Sequence, residues 1–467
     1  MRVLALVPAV LLAGALPRSA SADDPRLEQF EQEVEALRER LRIPGLSAVV
    51  LKDQEVLWTR GFGYADLENR IPATPDTLYS IASLTKTFAA TVVMQLVEQG
   101  KLDLEEPISR YSSDFKDDSV RIKHLISHTA GGTPGERYQY DGGLYAYLTP
   151  VIEKHKGKPF VEVLVETFLD PLQMTASVPY HDVVEDADKW KATLGQDHID
   201  RYRRNLAQFS RPYTYYGAGE IFETTYPPRD PVDASAGLLS TVRDLAKYDI
   251  AIDRHVFLRK ETQERAWTPF VSNAGERLPY GLGWFVTDWH GTRLIWHYGH
   301  WGTGFSAMYV KIPSENVSMV LLANSEALGD IGWDGLLKNA FVCRFLGLWG
   351  HAHDCRQQSE AALAQWIEKR RASARVPIAV PAEILESYVG RYQFEQLDNR
   401  IYDVLREGDK LYFRPPEGTK LELFAESETR FFLKVRTYTL VFSRAPGQLP
   451  QLQIVEGDQT VRSKRLP

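Results

Sequence analysis

Long apolar runs, low-complexity tracts and clusters of basic residues are all missing from this chain, and cysteine nearly so. Beyond the N-terminus, no stretch reaches the ~20 apolar residues that a membrane-spanning helix needs. The formal net charge is −7 and the basic residues are scattered. Nucleic acid and anionic membrane surfaces are therefore poor partners. Only two cysteines occur, Cys343 and Cys355. In an oxidising compartment they would pair, closing a short loop through Trp349, Gly350 and His351. Cys343 reads equally well as an ordinary buried helix residue. The neighbouring His351-Ala352-His353 is of the kind found in surface loops, and no metal is expected there.

What is present is a globular composition, 44% hydrophobic and 25% charged, over 467 residues. That length exceeds the usual single domain, so two folded units are expected. Residues 1–22 are expected to be a cleaved signal peptide. Arg2 supplies the positive end, residues 3–16 the apolar stretch, and Ala20-Ser21-Ala22 the cleavage site. No cysteine follows to carry a lipid anchor, so a soluble periplasmic or secreted protein is expected.

Leu27, Phe30, Val34, Leu37 and Leu41 recur at helical spacing. Strands are expected at 47–51 and 56–62, joined by a polar turn. A helix runs from Ser83 to Gly100, a broken helical region from about 103 to 128, and further helices over 159–169 and 240–253. From Gly281 the pattern turns to strands, at 281–287, 293–297, 305–312 and 317–322, before a helix at 333–345. This layout predicts an α+β fold: an antiparallel sheet carrying helices, with an all-helical subdomain. The expected hydrolase domain spans 23–360, and a charged helix and Pro/Ala-rich linker span 361–382. Short strands at 401–406, 411–414, 421–424, 431–435 and 437–443 then predict a small all-β barrel or sandwich over 383–467.

The chemistry concentrates at Ser83-Leu84-Thr85-Lys86. On a helix this spacing puts a hydroxyl and an amine on one face, one turn apart. Phe88, Val92, Met94, Leu96 and Val97 make the helix mostly buried, so Lys86 lies in poor solvent. Desolvation and the positive end of the helix dipole both favour a neutral amine, which can take a proton from serine. Ser113-Asp114-Phe115-Lys116 has the same spacing, but it sits among charges that leave its lysine hydrated.

Further blocks follow in order: His124 to Gly132, Tyr140-Asp141-Gly142, Glu153, Pro171-Leu172-Gln173-Met174, Ala236 to Leu245, Tyr280 to Trp284, and Gly299 to Ser306. With Ser83-x-x-Lys86 they resemble the serine β-lactamase and penicillin-binding-protein superfamily over roughly residues 25–350. The nearest look is to class C β-lactamases, D-alanyl-D-alanine carboxypeptidases, D-aminopeptidases and related esterases. The resemblance implies that Ser83 is the nucleophile, with Lys86 and Tyr140 as its proton-handling partners. Which of those two holds the proton is open, and Tyr138 is a competitor for the tyrosine position. His300-Trp301-Gly302 stands where other members carry Lys-Thr-Gly, with His297-Tyr298-Gly299 as a weaker fit. Trp301 and Gly302 would then line the substrate, and the N–H groups of Ser83 and Thr303 would hold the oxyanion. His124 and His128 belong to a structural turn in this reading.

Two departures matter. Gly142 replaces an Asn or Ser side chain, and His300 replaces a permanently charged lysine. Both argue against an efficient β-lactamase. The expectation is an exported serine hydrolase, with no cofactor or metal, acting through an acyl-enzyme. Its substrate would be a small molecule or short peptide: an ester, a D-amino-acid amide or a cell-wall fragment. The alternatives are a class C-like β-lactamase or carboxypeptidase, and a binding homologue without turnover.

Overall fold

A computed structural model describes residues 24–466 apart from 218, 225–231, 303, 331–334, 398, 417–419, 436–437, 444–448 and 458. The expected signal peptide and Thr303 lie outside the described residues. The others fall into two units, one drawn from 1–210 and 229–360, the other from 211–228 and 361–467.

In the first unit, strands β1 (Gly45–Lys52), β2 (Glu55–Asp66), β3 (Phe285–Trp289), β4 (Thr292–Trp301), β5 (Phe305–Ile312) and β6 (Val317–Ala323) form one sheet. Its order is β2-β1-β6-β5-β4-β3, with the short strand Ile71–Pro72 on the β2 edge. The pairings along that order are antiparallel, Val49 facing Val320 and Val320 facing Tyr309. Strands β5 and β6 are buried at every position. Their unbroken apolar runs are what a strand covered on both faces requires. Helices supply that cover. Helix α1 (Pro25–Arg40) is fixed at its start by Asp24, whose carboxylate accepts from the Arg26 N–H. It packs with α4 (Ala340–Leu348), while α3 (Val242–Asp253) lies against β1 and β6. Cys343 and Cys355 are paired. Between α2 (Thr85–Glu98) and α3 the chain builds the helical region, including Leu148–Lys156 and Gln196–Leu206.

One stretch departs from the expected pattern. Residues 103–128 hold only a 3-10 turn at Ile108–Arg110 and the short helix Ile122–Ile126. Side chains there compete with helix formation: Asp103 accepts from the Glu105 N–H, Ser112 from Asp114, and Asp117 from Ser119.

The second unit contains the hairpin Tyr213–Tyr216 with Glu220–Glu223, which strand patterning did not suggest, and a strand series from Gly390. Each strand from Gly390–Phe394 to Gln459–Arg462 pairs with its sequence neighbour. The final segment closes the sheet nearly completely. Residues Gln459–Arg462 pair with Gln451–Glu456, and Lys464–Arg465 pair with Gly390–Phe394. Of barrel and sandwich, the structure is a barrel. Tyr392, Phe394, Phe413, Phe431, Phe442 and Leu452 fill its interior, so it is a packed core and not a ligand cup.

The first unit also buries a charge cluster between sheet and helix. Lys311 of β5 places Nζ 3.0 Å from Asp249 and 2.8 Å from Asp253 of α3. Ser318 and Tyr309 donate to the same Asp249 carboxylate. Burial alone would lower the Lys311 pKa, but the two carboxylates hold it above its ordinary value. Lys311→Met leaves the buried Asp249 carboxylate without its cation, next to the part-exposed Asp253, so it should cost about 3 kcal/mol of unfolding free energy. Urea titration checks this; a loss under about 1 kcal/mol would show that the cluster does not hold α3 on the sheet.

Candidate active site

Ser83 sits in the 3-10 turn Ala82–Leu84 that leads directly into α2. Ala82 before it has φ +45°, the left-handed region that non-glycine residues rarely enter. The surroundings hold it there. Tyr79 and Ser80 pair with Ser240 and Leu239, and the Ile81 N–H donates to the Leu238 carbonyl. Thr85 closes the turn, its hydroxyl donating to the Ala82 carbonyl and accepting from the Leu238 N–H. On the sheet side, a Cβ at position 299 would fall 2.0 Å from the Ile81 carbonyl oxygen. Only glycine lets β4 come this close to the serine turn.

Lys86, one turn on, is 1% exposed. Its Nζ lies 3.1 Å from Ser83 Oγ and donates to the Ser235 carbonyl at 2.7 Å. It also lies 5.2 Å from the ring centroids of Tyr140 and Tyr145. Burial pulls the amine down to about 7, against an upward pull from Asp233 and Asp141. An amine so placed is substantially neutral near pH 7 and can take the proton of the hydroxyl beside it.

Tyr140 presents a buried hydroxyl with no hydrogen-bond partner of good geometry, the Ser83 hydroxyl being its nearest candidate. Its phenol is pushed well above the ordinary value, by burial first and by Tyr298 next, with the Ser83 side chain pulling the other way. Tyr140 is therefore a neutral phenol in the free protein, and of the two partners it is Lys86 that exchanges its proton near pH 7. The competitor Tyr138 packs on Tyr280 and Phe285. Gly142 begins the short helix Gly142–Ala146, and a Cβ there would point at Lys86 Nζ from 3.8 Å. The missing side chain thus leaves space beside the amine.

Ser83, Lys86, Tyr140 and Gly142 are brought together. The third block is placed less directly. His300 pairs opposite Ser306 on β4 and its ring rests against Gly329. Trp301 pairs opposite Phe305, and Gly302 has open space where a side chain would project. Gly299, not Gly302, makes the close backbone approach on this strand. His297 is a core residue: Nδ1 donates to the Tyr298 carbonyl, and Nε2 accepts from the Tyr280 hydroxyl. Burial and the nearby Lys86 lower its pKa to about 3. His124 accepts from the Arg121 N–H at the start of its helix, away from this cluster.

Sequence reasoning missed the groups that tune Lys86. Asp233 accepts from the N–H groups of Ser235 and Ala236, shaping the turn whose carbonyl meets the amine. A carbonyl acceptor has no side-chain signature. Asp233, three residues ahead of the block starting at Ala236, was the available clue. Tyr145 donates to the Lys86 carbonyl and gives the amine its second aromatic wall.

Residues 30–333 match the Beta-lactamase protein family. The chain belongs to the β-lactamase family. Proteins of this superfamily are serine hydrolases, and this β-lactamase-family chain is assigned to that class. It is 25% identical to penicillin-binding protein 4* of Bacillus subtilis over 92% of this chain and 97% of that protein. Protein flp of Staphylococcus aureus is 24% identical over 64% of this chain and 63% of that protein. Among solved structures, the octameric penicillin-binding protein homologue from Pyrococcus abyssi has a TM-score of 0.58 at 23% identity. That likeness covers 94% of this chain and all of the other. D-amino acid amidase from Ochrobactrum anthropi has a TM-score of 0.53 at 20% identity, covering 65% of this chain and 92% of that one. Both structures show the fold, a β-lactamase/transpeptidase-type sheet and helices.

A lysine held near 7, against an ordinary 10.5, binds fewer protons folded than unfolded between those values. The folded state carries the full penalty below about pH 7 and sheds it as pH rises. Lys86→Met should therefore be more stable than the natural protein at pH 6.5, by on the order of 4 kcal/mol. The advantage should shrink towards pH 10, as followed by paired urea titrations; a pH-independent difference would contradict a depressed Lys86.

Proposed function

We propose that the protein hydrolyses small esters or D-amino-acid amides through an acyl-enzyme on Ser83. The observation that carries this reading is the buried Lys86 amine, 3.1 Å from Ser83 Oγ and lowered to about 7. Ser83 Oγ attacks the substrate carbonyl carbon while its proton passes to Lys86 Nζ. The oxyanion that forms faces the Ser83 N–H and, on the sequence resemblance, that of Thr303. Collapse breaks the bond to the leaving group, which takes a proton from the Tyr140 hydroxyl as Lys86 replenishes it. Water then attacks the acyl carbon, giving its proton back through the same pair, and the acid leaves as Ser83 is restored.

Substrate class is argued from what flanks the serine. Position 142 offers no side-chain amide, and His300 supplies no permanent cation for a carboxylate. Neutral esters and small amides suit such a site better than β-lactams, and the fold likeness to a D-amino acid amidase supports the amide branch. Similarity to a penicillin-binding protein along 92% of the chain favours a second reading, a D-alanyl-D-alanine carboxypeptidase. A binding homologue without turnover has less support, because an inert site has no need of a depressed amine. We further propose that the protein acts outside the cytoplasm. The Arg2 to Ala22 leader pattern and the Cys343–Cys355 pair support this.

A fluorophosphonate probe should label Ser83, mapped by peptide mass spectrometry, and Lys86→Ala should slow labelling by about 10²–10⁴-fold. An adduct elsewhere, or none, would sink the mechanism. Gly142→Asn places an amide beside Lys86. It should raise nitrocefin turnover relative to p-nitrophenyl ester turnover by about tenfold, one good hydrogen bond; an unchanged ratio would show that position 142 does not set preference.

A further inference from the structure

We propose that His128 is a positioning residue, clamping the segment on both sides of Tyr140 so that the phenol stays beside Ser83 and Lys86. The proposal rests on the reading of those three residues given above. The His128 carbonyl accepts from the Gln139 N–H at 2.8 Å, and its Nδ1 accepts from the Asp141 N–H at 3.2 Å. One residue therefore holds both neighbours of Tyr140. Its ring lies 4.3 Å from the Tyr140 ring at 31°, and 4.9 Å from that of Tyr145. The backbone of His128 is left-handed, φ +54°, which turns the chain so that ring and carbonyl reach the same segment.

Two features separate this from ordinary packing. Because Nδ1 accepts a hydrogen bond, the ring proton belongs on Nε2, and that atom is buried with no partner. A phenylalanine would fill the space without stranding a polar atom, so packing gives no reason for an imidazole, whereas the Asp141 bond does. Asp141 is itself consequential. Its carboxylate caps the helix at Gly142 by accepting from Leu144, and it raises Lys86. The bond that His128 accepts thus holds the backbone of the residue whose carboxylate tunes the amine, as well as the segment of the phenol. The charged or titratable groups around the ring are Lys86, His297, Asp141 and the phenols of Tyr138, Tyr140, Tyr145 and Tyr280. Burial, then Lys86 and His297, keep the ring neutral, which preserves Nδ1 as an acceptor.

The test compares two variants of the full chain. His128→Asn keeps a side-chain acceptor and tolerates a left-handed backbone; His128→Phe keeps a ring and removes the acceptor. With a p-nitrophenyl ester, His128→Asn should retain kcat within about fivefold, while His128→Phe should lose about 100-fold in kcat at nearly unchanged KM. The acid limb of kcat/KM should also move upward in His128→Phe, as water reaches Lys86. Equal kcat and an equal acid limb in His128→Phe, or equal damage in both variants, would overturn the proposal. Should His128→Phe fail to fold, ¹⁵N-histidine NMR of the natural protein still decides. A persistent Nε2–H tautomer for His128 supports the clamp, and an Nδ1–H tautomer refutes it. If the natural protein forms no Ser83 adduct with fluorophosphonate, the hydrolase reading fails separately, and the tautomer result still stands on its own.

Discussion

Desolvation of one amine is the constraint on which the site depends. Lys86 would be a hydrated ammonium on any surface; here two phenol rings, a hydroxyl and one carbonyl replace its water. The carboxylates that could recharge it are near but engaged elsewhere. Asp233 accepts from two N–H groups of its own turn, and Asp141 caps the helix at Gly142. Had either carboxylate bonded Nζ directly, the lysine would stay charged and could not accept a proton. With neither nearby, it would hold an accepted proton too weakly. The balance falls close to neutral pH, where a general base works best.

The same unit treats a second buried lysine in the opposite way. Lys311 is as hidden as Lys86, yet it meets two carboxylates directly and is held charged. Both lysines pay for desolvation, but only Lys311 is compensated by ion pairing. The compensated one bridges strand and helix. The uncompensated one is a stability liability, tolerable because strands such as β1, β5 and β6 bury apolar side chains almost without interruption. Reading burial alone would have ranked these two lysines together; the difference lies in the atoms that face each Nζ.

The sheet was legible because its strands are continuous apolar runs bounded by turn residues, and the serine helix because hydrophobic spacing survives from Phe88 to Leu96. The stretch 103–128 was expected as broken helical pieces and holds two, shorter than expected because Asp and Ser side chains bond the local backbone. The hairpin at 213–223 was invisible, its eight paired residues being too few to show a period. At the site, residues that act through side chains stood out, while those acting through the main chain did not. Ser235 contributes only its carbonyl, and Gly299 contributes the absence of a side chain on the strand where attention fell on Gly302. His128 was set aside as a turn residue; that description is accurate and incomplete, since the turn is what grips the Tyr140 segment.

The unpartnered phenol of Tyr140 bears on how such a site discriminates states along the reaction. A buried hydroxyl without a hydrogen bond costs about 1–3 kcal/mol in the free protein. A ground-state substrate that leaves the phenol unpaired recovers none of it. A leaving-group atom that gains electron density at collapse is a strong acceptor, and on the proposed mechanism it would meet in Tyr140 a donor already desolvated by the fold. The recovered energy would then appear in the transition state and not in the bound substrate, which is the condition for raising turnover instead of tightening binding. A phenolate standing in the free protein would lack this property, because its charge would demand a partner before substrate arrived. On the proposed mechanism, a neutral Tyr140 and a Lys86 that titrates near neutrality would serve one end: the phenol would take part as a donor only once the carbonyl is attacked.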